Sequence, residues 1–361
     1  MSEDPNQSSE PPDLLSIPET VAGGRYVLGA PIGSGGAASV FRARDESLAL
    51  SRAVKVLRMG HEAIRERFLA EARVLARIRH PNIVRVVDYG EDGGTPWMAM
   101  ELARGGTLAD RLDRGPMPLS RACEVLFEIL AGLVVIHDSG FVHRDIKPSN
   151  VLFGEGDEAW VSDLGVVSGS EQVVKRHWQT SGPIGTIGYQ SPEIRRDARD
   201  ADHRADIYAA GATLWAMLTA RPPIDFSVVS LKPEMLDAIP GSVRPILLRA
   251  TAHSPSDRYP SCESMARDVA TLHSQIKPTA SPPDVAMMVF QRLRRRSGMA
   301  RPVAEVDSLD ITAPVRERPY SALSQETPPS PQAGLRSVLL VMSGILVGLL
   351  VALVLVLALS V

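Results

Sequence analysis

The sequence predicts an α+β chain of two lobes, a sheet first and helices after it, followed by one membrane-crossing helix. Three observations carry this. Short alternating segments crowd residues 26–102, and helical periodicity dominates after residue 105. The chain then closes on a charge-free apolar run, Val338 to Leu359. That run has 22 residues, and at about 1.5 Å per residue it spans about 33 Å, enough for a bilayer core of about 30 Å.

Composition narrows the function. Hydrophobic residues make up 44% and charged residues 22%, with a net charge of -3, so the chain is neither disordered throughout nor basic enough to suggest nucleic-acid binding. Cys123 and Cys262 are the only cysteines, which excludes a disulfide scaffold and a cysteine-based zinc site.

The elements follow in order. Residues 1–24 are acidic, polar and proline-rich, and read as a disordered lead without a signal peptide. Residues 25–275 form the globular body. Its first strands are Tyr26 to Ile32, Ala38 to Arg44 and Arg52 to Leu57. His61 to Arg79 is a helix, with Ile64, Phe68, Ala72, Leu75 and Ile78 on one face, stopped by His80-Pro81. Strands Ile83 to Tyr89 and Pro96 to Leu102 come next, then helices including Leu119 to Asp138 and Asp206 to Thr219. A cleft is expected where Glu101 to Gly106 joins the lobes. Residues 276–337 are a proline-rich linker containing a short basic stretch, Val285 to Arg296. Residues 338–359 are the membrane helix, and Arg316, Arg318 and Arg336 ahead of it place the body in the cytoplasm. Gly344, Gly348 and Ala352 recur every four residues, a spacing that suits a homodimer of such helices.

Chemistry concentrates in a few places. Ile32-Gly33-Ser34-Gly35-Gly36-Ala37-Ala38-Ser39-Val40 is a glycine-rich turn followed by a strand, the wrong successor for a dinucleotide fold. Lys55 interrupts an apolar strand, and Glu71 on the next helix is its expected partner. His143-Arg144-Asp145-Ile146-Lys147-Pro148-Ser149-Asn150 concentrates charge in one loop. Asp163-Leu164-Gly165, Gly185-Thr186 and Ser191-Pro192-Glu193 follow.

These motifs, in this order, resemble the eukaryotic-type (Hanks-type) protein kinases, specifically the bacterial serine/threonine kinases, over about residues 26–272. The resemblance implies a bilobal kinase fold: an antiparallel sheet with one helix, then a mainly helical lobe. It implies ATP with Mg²⁺, or Mn²⁺ as the alternative ion. Ser34 to Ser39 would cover the phosphates, with Gly33 also among the nucleotide-binding positions. Ile32, Val40 and Ala53 would sandwich adenine with Leu152, and Glu101 to Ala103 would form the hinge, with Met100 behind it. Lys55 would hold the α- and β-phosphates, oriented by Glu71. Asp163 and Asn150 would take the metal ions. Asp145 would accept the proton of the substrate hydroxyl, and Lys147 would offset charge on the moving phosphoryl group. Asp206 would brace the catalytic loop, Arg258 would pair with Glu193, and His143 would be structural. Thr180 would be the activating phosphosite, facing Arg144. Partners would be proteins with Ser/Thr acceptors and, through the helix, membrane lipid. Ala38, Leu164 and Ser191 depart mildly from the family pattern. A pseudokinase scaffold would need loss of Lys55, Asp145 or Asp163, and all are present. A small-molecule kinase would lack the Ser191-Pro192-Glu193 segment.

Overall fold

The computed structural model describes residues 17–35, 37–58, 60–164, 184–197, 201–226, 229 and 232–276. Gly36, Thr180, most of the expected linker and the apolar run 338–359 lie outside them. Among the described residues no helix is long and apolar enough to cross a membrane.

The first lobe is a six-stranded antiparallel sheet. Its strands are β1 (Thr20–Val21), β2 (Tyr26–Ser34), β3 (Ala38–Asp45), β4 (Leu50–Leu57), β5 (Val86–Asp92) and β6 (Thr95–Glu101). The spatial order is β1-β2-β3-β4-β6-β5. Helix α1 (Glu62–Arg77) packs on β5 and β6. Alternation along β4 sorts its side chains. Val54 and Val56 turn to an outer cluster with Val21, Tyr26, Phe41, Ala43, Trp97 and Ala99. Ala53 and Leu57 turn to the inner core, and Lys55 shares their register. Lys55 is thereby brought to the α1 side of the sheet. Ile64, Phe68, Ala72 and Leu75 of α1 are buried in that core, each large side chain contributing about 1.5–3 kcal/mol.

Two boundaries differ from the sequence expectation. The lead does not extend to residue 24: Thr20 and Val21 pair with Val27 and Tyr26, and Val21 is fully buried. Two residues are too few to register as periodicity in a polar segment. The strand expected at Ile83 begins at Val86, because Val84 N–H donates to Val161 C=O at 2.9 Å, drawing this segment toward another sheet.

The second lobe is helical. It contains α2 (Leu108–Leu112), α3 (Leu119–Asp138), α4 (Pro192–Arg196), α5 (Arg204–Thr219), α6 (Arg244–Ala250) and α7 (Cys262–Ile276). A small hairpin, β7 (Val151–Phe153) with β8 (Ala159–Val161), lies on α3. The apolar run in α5 is buried on nearly all sides, from Ala205 to Met217. It therefore serves as the central post on which α3 and α6 pack.

Candidate active site

The glycine-rich turn closes through Gly35 N–H to Ala38 C=O at 2.9 Å, with Ser34 opposite Ser39. Ile32 stands exposed, Val40, Ala37 and Ala38 are half-buried against the inner core, and Ser39 is buried. A Cβ on Gly33 or Gly35 would find its nearest neighbour at 3.8 Å, ordinary contact, and neither glycine has a positive φ. The chain's own packing therefore does not require glycine at either position.

Below the turn, Lys55 Nζ donates to Asp163 Oδ1 at 2.7 Å and to Glu71 Oε1 at 3.2 Å. One cation thus links β4, α1 and the segment after β8. Burial opposes the Lys55 charge, yet the two carboxylates raise its pKa overall. Burial pushes Glu71 up to about 7 against the pull of Lys55. Asp163 is desolvated too, but Lys55 holds it below the usual carboxylate range.

The loop after α3 is built around a buried acid on α5. Asp206 accepts His143 N–H at 2.8 Å and Arg144 N–H at 2.7 Å. These bonds hold Arg144 at φ 65, a left-handed conformation that costs a non-glycine residue energy. The turn delivers Asp145 into the cleft. There its carboxylate receives Lys147 Nζ at 2.9 and 2.8 Å and Asn150 Nδ2 at 2.8 Å. His143 is fully buried; its Nε2 meets Ser162 C=O at 2.9 Å, and burial lowers its pKa. Asn150 C=O accepts Ser162 N–H at 2.9 Å, joining this loop to Asp163, which is also left-handed at φ 55.

On the other wall, Ala53 and Met100 are buried and Leu152 is half-buried in the same cluster as Val40. Glu101 N–H is already engaged by Arg85 C=O at 2.9 Å, and Ala103 is half-buried. Glu101 and Ala103 connect β6 to α2 as the strip between the lobes.

The donor set suits a hard divalent cation. Asn150 spends its amide nitrogen on Asp145, on the carboxylate and on the C=O, each at 2.8 Å, and its Oδ1, which accepts Ser149 Oγ at a long 3.4 Å, is the atom it could offer a metal along with the Asp163 carboxylate. Two protein oxygens are few, as expected where phosphates and water complete an Mg²⁺ shell.

Two contributors escaped sequence reasoning. His137 Nε2 bonds Asp206 Oδ2 at 2.8 Å, and Ser162 Oγ lies 3.1 Å from Asn150 C=O and 3.2 Å from Asp163 Oδ2. The only sequence sign of His137 is a histidine in the apolar end of a helix.

Comparison with known proteins agrees with this geometry. The protein kinase domain model matches residues 26–281. Serine/threonine-protein kinase PknL of Mycobacterium tuberculosis is 36% identical over 269 residues, covering 70% of this chain and 66% of that protein. PrkC of Bacillus subtilis is 35% identical over 265 residues, covering 69% and 40%. The chain therefore spans two thirds or less of the length of these relatives. In fold, it is similar to the crystal structure of Rad53 1-466 in complex with AMP-PNP, with TM-score 0.56 and 22% identity over 68% of this chain and 64% of that one.

Proposed function

The chain belongs to the protein kinase family, among the bacterial serine/threonine kinases, and on that premise we propose that it transfers the γ-phosphoryl group of ATP to Ser and Thr hydroxyls of proteins. The observation that carries this is the Asp145 carboxylate, held by Lys147 and Asn150 in a cleft that also presents Lys55 and Asp163.

Each residue has one task. Gly33 to Ser39 bring backbone N–H groups over the phosphates; Gly33 and Gly35 have no packing reason to be glycine, which favours close approach by a ligand. Lys55 holds the α- and β-phosphates while Glu71 fixes its direction. Ile32, Val40, Ala53 and Leu152 enclose adenine, and the backbone of Glu101 and Ala103 reads its edge. Asn150 and Asp163 would hold Mg²⁺, or Mn²⁺ in its place, which would supply positive charge to neutralise the phosphates. Asp145 accepts the proton of the acceptor hydroxyl, and Lys147 offsets negative charge as the phosphoryl group passes. The catalytic gain comes from positioning and charge, since no covalent step on the protein is needed.

Residues 338–359 anchor the catalytic body to the cell membrane by a single pass, with that body on the cytoplasmic side. The Gly344, Gly348 and Ala352 face of that helix pairs with a second copy, raising the rate of autophosphorylation in trans. Neither nucleic acid nor a metal beyond the nucleotide ions enters the reading.

The test is phosphoryl transfer from labelled ATP by the full-length chain in detergent. Asp145→Asn, Lys55→Met and Asp163→Asn should each remain folded and lose activity by about two or more orders of magnitude. Near-normal activity in any two would sink the reading. For the anchor, Gly348→Ile at equal membrane density should lower self-association and trans-autophosphorylation together; no change in either would leave the span a simple tether.

A further inference from the structure

We propose that Arg111, clamped by Asp157, is a positioning residue for the nucleotide: it acts through Phe153 to set the adenine floor at Leu152 against the strip 101–107. The inference rests on the kinase reading of the cleft.

The arrangement starts at β7. Val151 and Phe153 are fully buried, whereas Leu152 between them is half-buried and faces the other way, as strand alternation requires. Phe153 is tied to the strip on both sides of its backbone. Its N–H donates to Gly106 C=O at 2.9 Å, and its C=O accepts Gly105 N–H at 2.8 Å. Thr107 also bridges Leu152. The approach is so close that a Cβ on Gly105 would sit 2.7 Å from Phe153 Cβ. Phe153 therefore cannot tilt without moving both the end of the hinge and the neighbouring Leu152.

What holds the Phe153 ring is a pair of arginines. The Arg111 guanidinium carbon lies 3.3 Å from the ring centroid, and that of Arg121 lies 5.9 Å from it. A flat cation at the first distance covers the ring face and gains from its quadrupole. Asp157, in the turn between β7 and β8, fastens both cations. Its Oδ1 receives Arg111 at 2.5 Å and its Oδ2 receives Arg121 at 3.0 Å. Arg121 also donates to the Asp157 C=O at 2.5 Å. The turn thereby closes on the same two helices, α2 and α3, that supply the arginines. One aromatic ring, two cations and one carboxylate thus form a bracket behind the nucleotide wall, and none of the four belongs to the catalytic or metal set.

A bracket of this kind predicts an effect on nucleotide affinity that is separable from turnover. Full-length chain in detergent is assayed for Mg·ADP binding by calorimetry, and for transfer from Mg·ATP to myelin basic protein. Arg111→Ala and Arg111→Lys should each weaken Mg·ADP binding and raise the KM for Mg·ATP about fivefold, the worth of one such stack. The kcat and the acceptor KM should stay within about twofold, the split expected for a lost ground-state contact. Lysine keeps the charge facing Asp157 but not the flat stack, so it should not rescue. Phe153→Leu should give the same loss, and Arg111→Ala combined with it should be no worse than the larger single effect. If Arg111→Ala does not fold, Arg111→Lys decides. Mg·ADP affinity within about twofold of wild type in Arg111→Lys and Phe153→Leu, or additivity in the double variant, overturns the proposal. A wild-type chain that binds Mg·ADP but transfers nothing would count against the kinase reading and leave the bracket to stand on binding alone. A wild-type chain that binds no nucleotide would end both.

Discussion

Glu193 and Arg258 form a buried two-pronged ion pair, with Arg258 nitrogens 2.6 and 2.8 Å from the two carboxylate oxygens. The remaining guanidinium hydrogens go to the C=O groups of Ala252, Arg204 and His253, and the guanidinium lies 5.0 Å from the Tyr208 ring centroid. Arg258 thus pins the segment that follows the cleft to the helical lobe. Burial raises the Glu193 pKa, but Arg258 brings it below the ordinary range.

Removing one partner strands the other charge in the core. Arg258→Ala or Glu193→Ala should therefore lose about 3–5 kcal/mol of stability. For a body of this size that is a fall in Tm on the order of 10 °C. Arg258→Lys should recover little, because an ammonium cannot serve both oxygens and the three carbonyls at once. Thermal and denaturant unfolding of the three variants checks this.

Gly132 offers a case where two effects compete. It lies inside α3, where alanine is favoured over glycine by about 1 kcal/mol. A Cβ there, however, would meet Asn82 C=O at 2.7 Å. Asn82 cannot yield cheaply, since its C=O accepts Val161 N–H at 2.9 Å and its side chain donates to Ala159 C=O at 3.0 Å. Overpacking of about 1–3 kcal/mol should win. Gly132→Ala should be less stable than wild type by about 1 kcal/mol, read from the urea midpoint; a more stable variant would contradict the packing.

The legibility of this protein in its sequence follows a physical line. Alternation and 3.6-residue periodicity located β3, β4 and α1, each of which buries at least one face, whereas β2 buries only Tyr26 and was marked by the turn residues that bound it. Loop motifs placed Asp145, Asn150 and Asp163 because their chemistry is confined to a few adjacent positions. What stayed hidden depends on contacts across the chain. His137 and Asp206 are 69 residues apart, and nothing local marks the histidine as a partner. Arg111, Arg121 and Asp157 look like ordinary surface charges until the hairpin turn folds back on α2 and α3. Arg144 and Asp163 carry no sequence sign of their left-handed backbone, which Asp206 and the cleft impose from outside.

The His137 contact makes stability depend on pH. Burial disfavours the imidazolium, but the neighbouring Cys262 first, and then the hydrogen-bonded Asp206, raise His137 to about 10; the His203 ring lies edge-on at 5.5 Å. A raised folded pKa stabilises most below the unfolded value of about 6.5 and fades as pH climbs toward 10. Asp206, lowered by the same contact despite its burial, adds stability above the ordinary carboxylate pKa and loses it in acid. His137→Gln keeps a donor for Asp206 and removes the titration. The stability gap between wild type and His137→Gln should be largest near pH 5–6 and shrink steadily from pH 6.5 to 10. Thermal melts across that range test it, and a gap that widens with pH would reverse the assignment.

The activating phosphosite proposed at Thr180 lies outside the described residues, but its intended partner lies within them. Arg144 directly precedes Asp145, and its Nε is buried with no hydrogen-bond partner among the described residues. The backbone at Arg144 is already fixed by Asp206, so a phosphate that engaged its side chain would act on a loop held rigidly beside the proton acceptor. Phosphorylation should therefore raise kcat more than it lowers the KM for ATP. Thr180→Ala should leave a folded enzyme with activity reduced by about tenfold or more, the worth of one or two charge-assisted hydrogen bonds. Arg144→Ala should reduce it similarly, and the double variant should be no worse than the stronger single, because both remove the same contact. Mass spectrometry of active wild-type protein should find phosphate on Thr180; Ser168, Ser170 and Ser181 are the alternatives in the same segment. Full activity in Thr180→Ala, or additive losses in the double variant, would remove Thr180 as the partner of Arg144.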